Sequence, residues 1–195
     1  MEICNDRLGR LMTTLGILKK TLLAAALVIA GAGAYTFAAR HGGAGTPPEM
    51  AALDKQAKEV VVDKSERLLK LLRDGTVLGE YSVSLGGNPL GHKEREGDRR
   101  TPEGNYLIDW RNPNSSFHLS LHISYPDAAD QARAAAAGES PGGDIMIHGL
   151  PNGWGFLGSL HLLLDWTNGC IAVTDEEMRE IWSLVPDGTP IRIEA

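Results

Sequence analysis

Cys170 and His148 are the residue types that could do covalent chemistry here. The chain has two cysteines, Cys4 and Cys170, and an apolar leader-like segment separates them. Beyond that segment Cys170 has no partner for a disulfide, so it is either a buried inert thiol or a nucleophile. It lies in Thr167-Asn168-Gly169-Cys170-Ile171-Ala172-Val173, and the glycine before it favours close backbone approach over core packing. A thiol attacks as the thiolate, and a free cysteine, with a pKa of about 8.5, needs help at neutral pH. His148 ends the strand-like run Asp144-Ile145-Met146-Ile147, and Gly149 after it permits a sharp turn. The imidazole could then project over the mouth of a sheet as a base, with a backbone carbonyl or a carboxylate fixing its tautomer. The N–H groups of Gly169 and Cys170 are candidate donors to a developing oxyanion.

A metal centre is the rival use of the histidines. His118 and His122 have the spacing of a helical zinc pair, but Phe117 to Tyr125 alternates polar and apolar residues as a strand does. Four residues of strand span roughly 13 Å, too far for one zinc with ligand bonds of about 2.1 Å. The expectation is no metal and no cofactor, with His118 on a solvated strand face and His122 reaching the substrate cleft. His92 and His161 join no constellation, and His41 falls in a linker.

The elements that must position this pair read as mostly β. Val60-Val61-Val62, Leu68 to Leu72, Val77 to Leu85, Gly104 to Trp110, Phe117 to Tyr125 and Ile191 to Ile193 are strand-like, and the Asp74-Gly75 pair between two of them is a hairpin signal. Two helices are expected. Asp127 to Ala137 is alanine-rich and ends at Gly138. The second follows Thr174-Asp175-Glu176-Glu177, a capping box, and its Met178, Ile181, Trp182 and Val185 recur at the spacing of a core-facing stripe. Together these give an α+β class dominated by strands.

Three ordered motifs carry a resemblance. Gly97-Asp98-Arg99-Arg100-Thr101-Pro102-Glu103-Gly104-Asn105-Tyr106, then Ile147-His148-Gly149, then Thr167-Asn168-Gly169-Cys170-Ile171-Ala172 resemble the marks of the L,D-transpeptidase (YkuD-type) catalytic domain of bacterial cell-wall enzymes. The resemblance spans about residues 58 to 193. It implies a β-sandwich-like fold with a few short helices, Cys170 as nucleophile, His148 as its base and Gly149 as the residue whose main chain orients the histidine. It also implies a peptidoglycan stem peptide as substrate; the residues read as candidates to meet it are Thr167, Asn168 and Trp154 at the pocket, with Gly169 and His122. One position departs: the family usually has an arginine where this chain has Ala172. The Gly-Cys-Ile-Ala form is similar to a branch that includes a peptidoglycan amidase releasing a lipoprotein from the wall. Transfer to an amine, L,D-carboxypeptidase action and amidase action therefore all stay open. Two further readings are a wall-binding module without catalysis and a redox-sensing thiol, the latter lacking a resolving cysteine beyond the leader.

Composition sets the compartment and the partners. With 195 residues and 43% hydrophobic content the chain suits one domain plus an appendage. Thr21 to Ala39 carry no charge and follow Lys19-Lys20, so residues 1–39 read as a signal peptide or an uncleaved anchor with a cytoplasmic N-terminus. Ala32-Gly33-Ala34 and Phe37-Ala38-Ala39 offer small-residue cleavage sites. Residues 40–57 read as a flexible linker and 58–193 as the catalytic domain. From Arg40 onward there are 15 Lys and Arg (19 minus 4) and 23 Asp and Glu (25 minus 2), a formal charge of −8. Nucleic acid is thereby disfavoured. The expected setting is the periplasm or cell envelope, with peptidoglycan stem peptides, a wall-linked lipoprotein in the amidase reading, and membrane contact only through the N-terminal segment.

Overall fold

The computed structural model describes residues 19–35 and 46–195. Cys4, the Phe37-Ala38-Ala39 site and the start of the expected linker lie outside the described residues. The chain divides at His41 into two compact units. In the first, residues 19–35 form a helix, α1, with every side chain exposed. Among the described residues no helix is long and apolar enough to cross a membrane.

The second unit is built on eight strands: β1 (Glu59–Asp63), β2 (Leu68–Arg73), β3 (Thr76–Ser82), β4 (Gly104–Asn112), β5 (Ser120–Ile123), β6 (Met146–His148), β7 (Ile171–Ala172) and β8 (Thr189–Glu194). They form one mixed sheet in the order β3-β2-β1-β8-β4-β5-β6-β7. The Asp74-Gly75 turn has positive φ at both residues, 51° and 79°, the twist that joins β2 to β3 tightly. Beyond β3 the chain continues to the far edge of the sheet, where Ser84 bridges Ala172 and Gly86 bridges Thr167. The sheet thus curls until its edges meet, enclosing a core as the two sheets of a sandwich would.

Alternation along each strand decides what enters that core. Val60, Val62, Leu69, Leu71, Ile108, Leu121, Ile123, Ile147, Ile171 and Ile191 all belong to it. Two further helices complete the domain, α2 (Ala128–Ala136) and α3 (Asp175–Leu184). Both start in capping boxes, Asp127 with Asp130 and Thr174 with Glu177, which satisfy first-turn N–H groups that have no partner within the helix. Met178, Ile181, Trp182 and Val185 are buried in the core, as their helical spacing requires.

Two expectations are corrected. The strand expected from Phe117 begins only at Ser120, because His118 takes a left-handed conformation (φ 64°). The 117–125 alternation therefore does not place His118 on one face with His122. The linker expected to reach residue 57 is held from Thr46 onward: Arg179 donates to the Thr46 carbonyl at 3.1 Å, and the N–H groups of Ala51 and Ala57 donate to Ser183 and Leu184 at 2.8 Å each.

Candidate active site

The face of the sheet turned away from the core carries the reactive residues. In the parallel β6–β7 pair His148 is level with Ala172, and paired side chains in a ladder leave the same face. Cys170, two residues before Ala172, therefore shares that face with His148. Two residues of rise and one strand spacing separate their Cα atoms by roughly 8 Å, within reach of the two side chains. Both line an open cleft of about 370 Å³, with Asp144, Met146, Trp166 and Asn168.

Each residue is held by local geometry that its neighbours enforce. His148 is buried, and its Nδ1 lies 2.7 Å from the Gly149 carbonyl oxygen. A carbonyl can only accept, so Nδ1 carries the proton and Nε2 is left as the basic nitrogen. Gly149 is confined on all sides: a Cβ there would lie 2.6 Å from Asp175 Oδ1 and 2.9 Å from His118 Cβ. Asp175, at the start of α3, takes that space to accept the Leu150 N–H at 2.8 Å. Around the imidazole, Phe117 packs at 4.7 Å between centroids and Trp166 edge-on at 5.8 Å.

The loop that carries Cys170 rests on the first of the three motifs. Gly169 has φ 126°, and a Cβ on it would meet the Arg100 carbonyl oxygen at 2.6 Å, a position only glycine can hold. Asp98 builds this floor, accepting from the N–H groups of Glu94, Arg95 and Arg100 and from Lys93 Nζ. Burial raises its carboxyl pKa, but these hydrogen bonds, Arg100 first, outweigh it and hold the group at about 2. Thr101 Oγ1 in turn accepts the Gly86 N–H at 3.0 Å, tying the floor to the edge that closes the sheet.

Both reactive groups are neutral at rest. Burial pushes the His148 pKa down to about 4, with His161 adding to the fall and the Gly149 hydrogen bond opposing it. Burial also pushes the Cys170 thiol up, partly offset by the Met146 N–H. The thiol donates to the Asp144 carbonyl at 3.6 Å. Such a pair suits attack with simultaneous proton transfer rather than a standing thiolate–imidazolium pair.

The other residues named from sequence divide. Thr167 and Asn168 line the cleft. Thr167 Oγ1 accepts the Gly169 N–H at 3.1 Å and donates to the Cys170 carbonyl at 2.7 Å. The Gly169 N–H is thereby engaged, and of the two oxyanion donors named only that of Cys170 remains a candidate. His122 does not line this cleft: Nδ1 donates to Asp109 at 2.6 Å and the ring stacks on Trp110 at 4.8 Å. Trp154 does not line it either, since the 151–156 turn aims it outward, stacked on Phe156. Sequence reasoning missed Trp166, Phe117, Asp144 and Ser120 as cleft residues. Only Trp166, four positions before Cys170 in a polar stretch, left a signal in the sequence.

The curled mixed sheet thus brings a free cysteine and a carbonyl-anchored histidine to one strand face. The YkuD family model, the L,D-transpeptidase catalytic domain, matches residues 57–193, and the chain belongs to that family. It is 29% identical over 134 residues to "Putative L,D-transpeptidase YafK" of Escherichia coli K12, a match covering 65% of this chain and 46% of that protein. Among solved structures it is similar to the K307A mutant of Pgp2, a helical cell shape determining protein from Campylobacter jejuni. That match has 25% identity and a TM-score of 0.54, and covers 75% of this chain and 49% of the other. The chain thus spans about half the length of these relatives.

Proposed function

We propose that this is an exported peptidoglycan L,D-transpeptidase that works through an acyl-enzyme on Cys170. The observation that carries the reading is the pair on one strand face: a half-buried thiol and an imidazole whose Nδ1 is committed to the Gly149 carbonyl. In the first step the Cys170 sulfur bonds to a carbonyl carbon of the stem peptide while its proton passes to His148 Nε2. The amide C–N bond then breaks, and His148 returns the proton to the leaving amine. In the second step an amine of another stem attacks the thioester, loses a proton to His148 and releases the thiol. The oxyanion formed in each step faces the Cys170 N–H.

The surroundings suit a branched, charged peptide. Among the described residues, no lysine or arginine lines the cleft around Cys170. Asp144 and Asn168 also border a second open cleft, where Lys93 and Arg99 stand with Glu96 and Lys93 is paired with Asp98. Arg99 is then the cation there for a stem carboxylate, and an acceptor ammonium is met by Asp144. The hydrolytic reading, in which water resolves the thioester as a carboxypeptidase or amidase, uses the same first step; the alanine at 172 is its support. Export belongs to the proposal, because the wall lies outside the cytoplasm and Lys19-Lys20 precede a charge-free run.

The test is mass spectrometry of wall fragments, including a lipoprotein-linked stem, incubated with wild type and with Cys170→Ala. New cross-linked dimers or amino-acid exchange only with wild type support transfer. Release of the bound peptide without dimers would replace it with hydrolysis, and processing by Cys170→Ala would end the mechanism altogether.

A further inference from the structure

The strand face that carries Cys170 and His148 continues beneath a covering loop. Ala172 pairs with His148 on one side and with Ser84 on the other, so these three side chains stand in a row on one face. Ala172 and Ser84 are almost wholly buried, yet neither belongs to the apolar core on the opposite face. His161, from the segment Gly155–Leu163, supplies part of the cover. Its Nδ1 lies 3.1 Å from Ser84 Oγ, and the Ser84 hydroxyl donates to the His161 carbonyl at 3.0 Å. A hydroxyl has one proton to give, so toward the ring Ser84 accepts, Nδ1 carries the hydrogen and Nε2 keeps its lone pair. That Nε2 is buried with no hydrogen-bond partner among the described residues, and so is the indole Nε1 of Trp166. The two rings meet at 88°, with centroids 6.5 Å apart. One is an acceptor lacking a donor and the other a donor lacking an acceptor, a combination that buried polar groups rarely leave unresolved.

We propose that one water bridges Trp166 Nε1–H to His161 Nε2, and that this Ser84–His161–water–Trp166 chain holds the indole against the catalytic base. Trp166 lines the cleft and packs edge-on against His148. His161 does not line the cleft and is a positioning residue, acting through Trp166. Ala172 is fully buried beside Ser84 on the same face, so a longer side chain there would press on the cover to which His161 belongs. The inference deepens the proposed function and rests on its assignment of Cys170 and His148 as the reacting pair.

The experiment has a spectroscopic and a chemical arm. In a ¹H–¹⁵N spectrum of the full chain, the Trp166 indole signal is the one lost in Trp166→Phe. In His161→Leu it is expected to move and to exchange with solvent about tenfold faster or more, as an unbonded N–H does. His161→Asn keeps a donor for Ser84 but no acceptor at the Nε2 position, and is expected to behave likewise. Acylation of Cys170 by a carbapenem, followed by intact mass, should slow about tenfold in both variants. His161→Gln, whose side-chain oxygen can accept the indole N–H, should stay within about threefold of wild type. Ala172→Leu should reproduce the indole change. An indole signal with the same shift and exchange rate in wild type, His161→Leu and His161→Asn would overturn the proposal, and so would a His161→Gln as slow as His161→Asn. If wild type is not acylated while indole protection depends on His161, the assignment of Cys170 fails and the buried pair stands.

Discussion

Acidification should unfold this protein through His148 in a way that can be isolated by one substitution. An unperturbed histidine titrates near 6.5, whereas burial holds His148 at about 4. The folded pKa is the depressed one, so between these values the unfolded chain binds the extra proton and stability falls as the pH falls. Moving from pH 7 to pH 5 should remove about 2 kcal/mol, given 1.36 kcal/mol per pKa unit. The loss should approach about 3 kcal/mol once the pH is below the folded value. His118 and His161 also have depressed values from burial, so wild type alone would overstate the effect. His148→Asn keeps a donor for the Gly149 carbonyl and removes the titration, and the difference between the two proteins isolates His148. In urea unfolding at an m-value of about 2 kcal/mol/M, the wild-type midpoint should drop by about 1 M more than that of His148→Asn. The same pKa sets the chemistry: carbapenem acylation of Cys170 should hold its rate down to about pH 4, because the base stays free until then. Equal pH dependence of stability in the two proteins, together with an acid limb near 6.5, would refute the claim that His148 is a desolvated neutral base.

Three other perturbations test the scaffold of the site. Gly169→Ala puts a Cβ 2.6 Å from the Arg100 carbonyl in a left-handed backbone and should cost about 2 kcal/mol or more in thermal or urea unfolding, with loss of acylation. Asp98→Asn removes a carboxyl held at about 2; after discounting for solvent, about 1 to 2 kcal/mol of stability should be lost at neutral pH. That contribution exists above the ordinary carboxyl pKa and disappears as the pH falls through 2, so the two proteins should converge in acid. Thr174→Ala breaks the capping box that starts α3 and should cost about 1 kcal/mol by urea unfolding. It should affect the acylation rate only through Asp175, which holds the Leu150 N–H, since none of the described residues lining the cleft lies on that helix.

What could be read from the sequence was local. The hairpin at Asp74-Gly75 and the capping box at Thr174 were legible because each rests on the conformation or hydrogen bonding of a few adjacent residues. The Cys170–His148 pair was legible because glycines mark both turns. The walls of the cleft were not, since Phe117 and Trp166 approach His148 from segments about 30 residues before it and 18 after it in the chain. His118 misled because a strict alternation says nothing about φ, and one left-handed residue shortens β5. His122 misled for another reason: on a strand face beside the cleft, Asp109 of the adjacent strand offers a 2.6 Å bond, and a carboxylate at that distance settles where an imidazole points.

Position 172 shows how a site and its fold constrain one another. Ala172 holds the closing edge of the sheet by exchanging two backbone hydrogen bonds with Ser84, at 2.8 and 2.9 Å. It also stands beside His148 in the β6–β7 ladder. A residue in that place meets three demands at once: its backbone must close the sheet, its side chain must leave room for the 155–166 segment, and its neighbours must keep water from the imidazole. A small apolar side chain meets all three. Burial is the main cause of the His148 pKa of about 4, and Phe117 and Trp166 packed on the imidazole supply part of it. Ala172 thus joins the closing edge of the sheet to the strand face that carries His148.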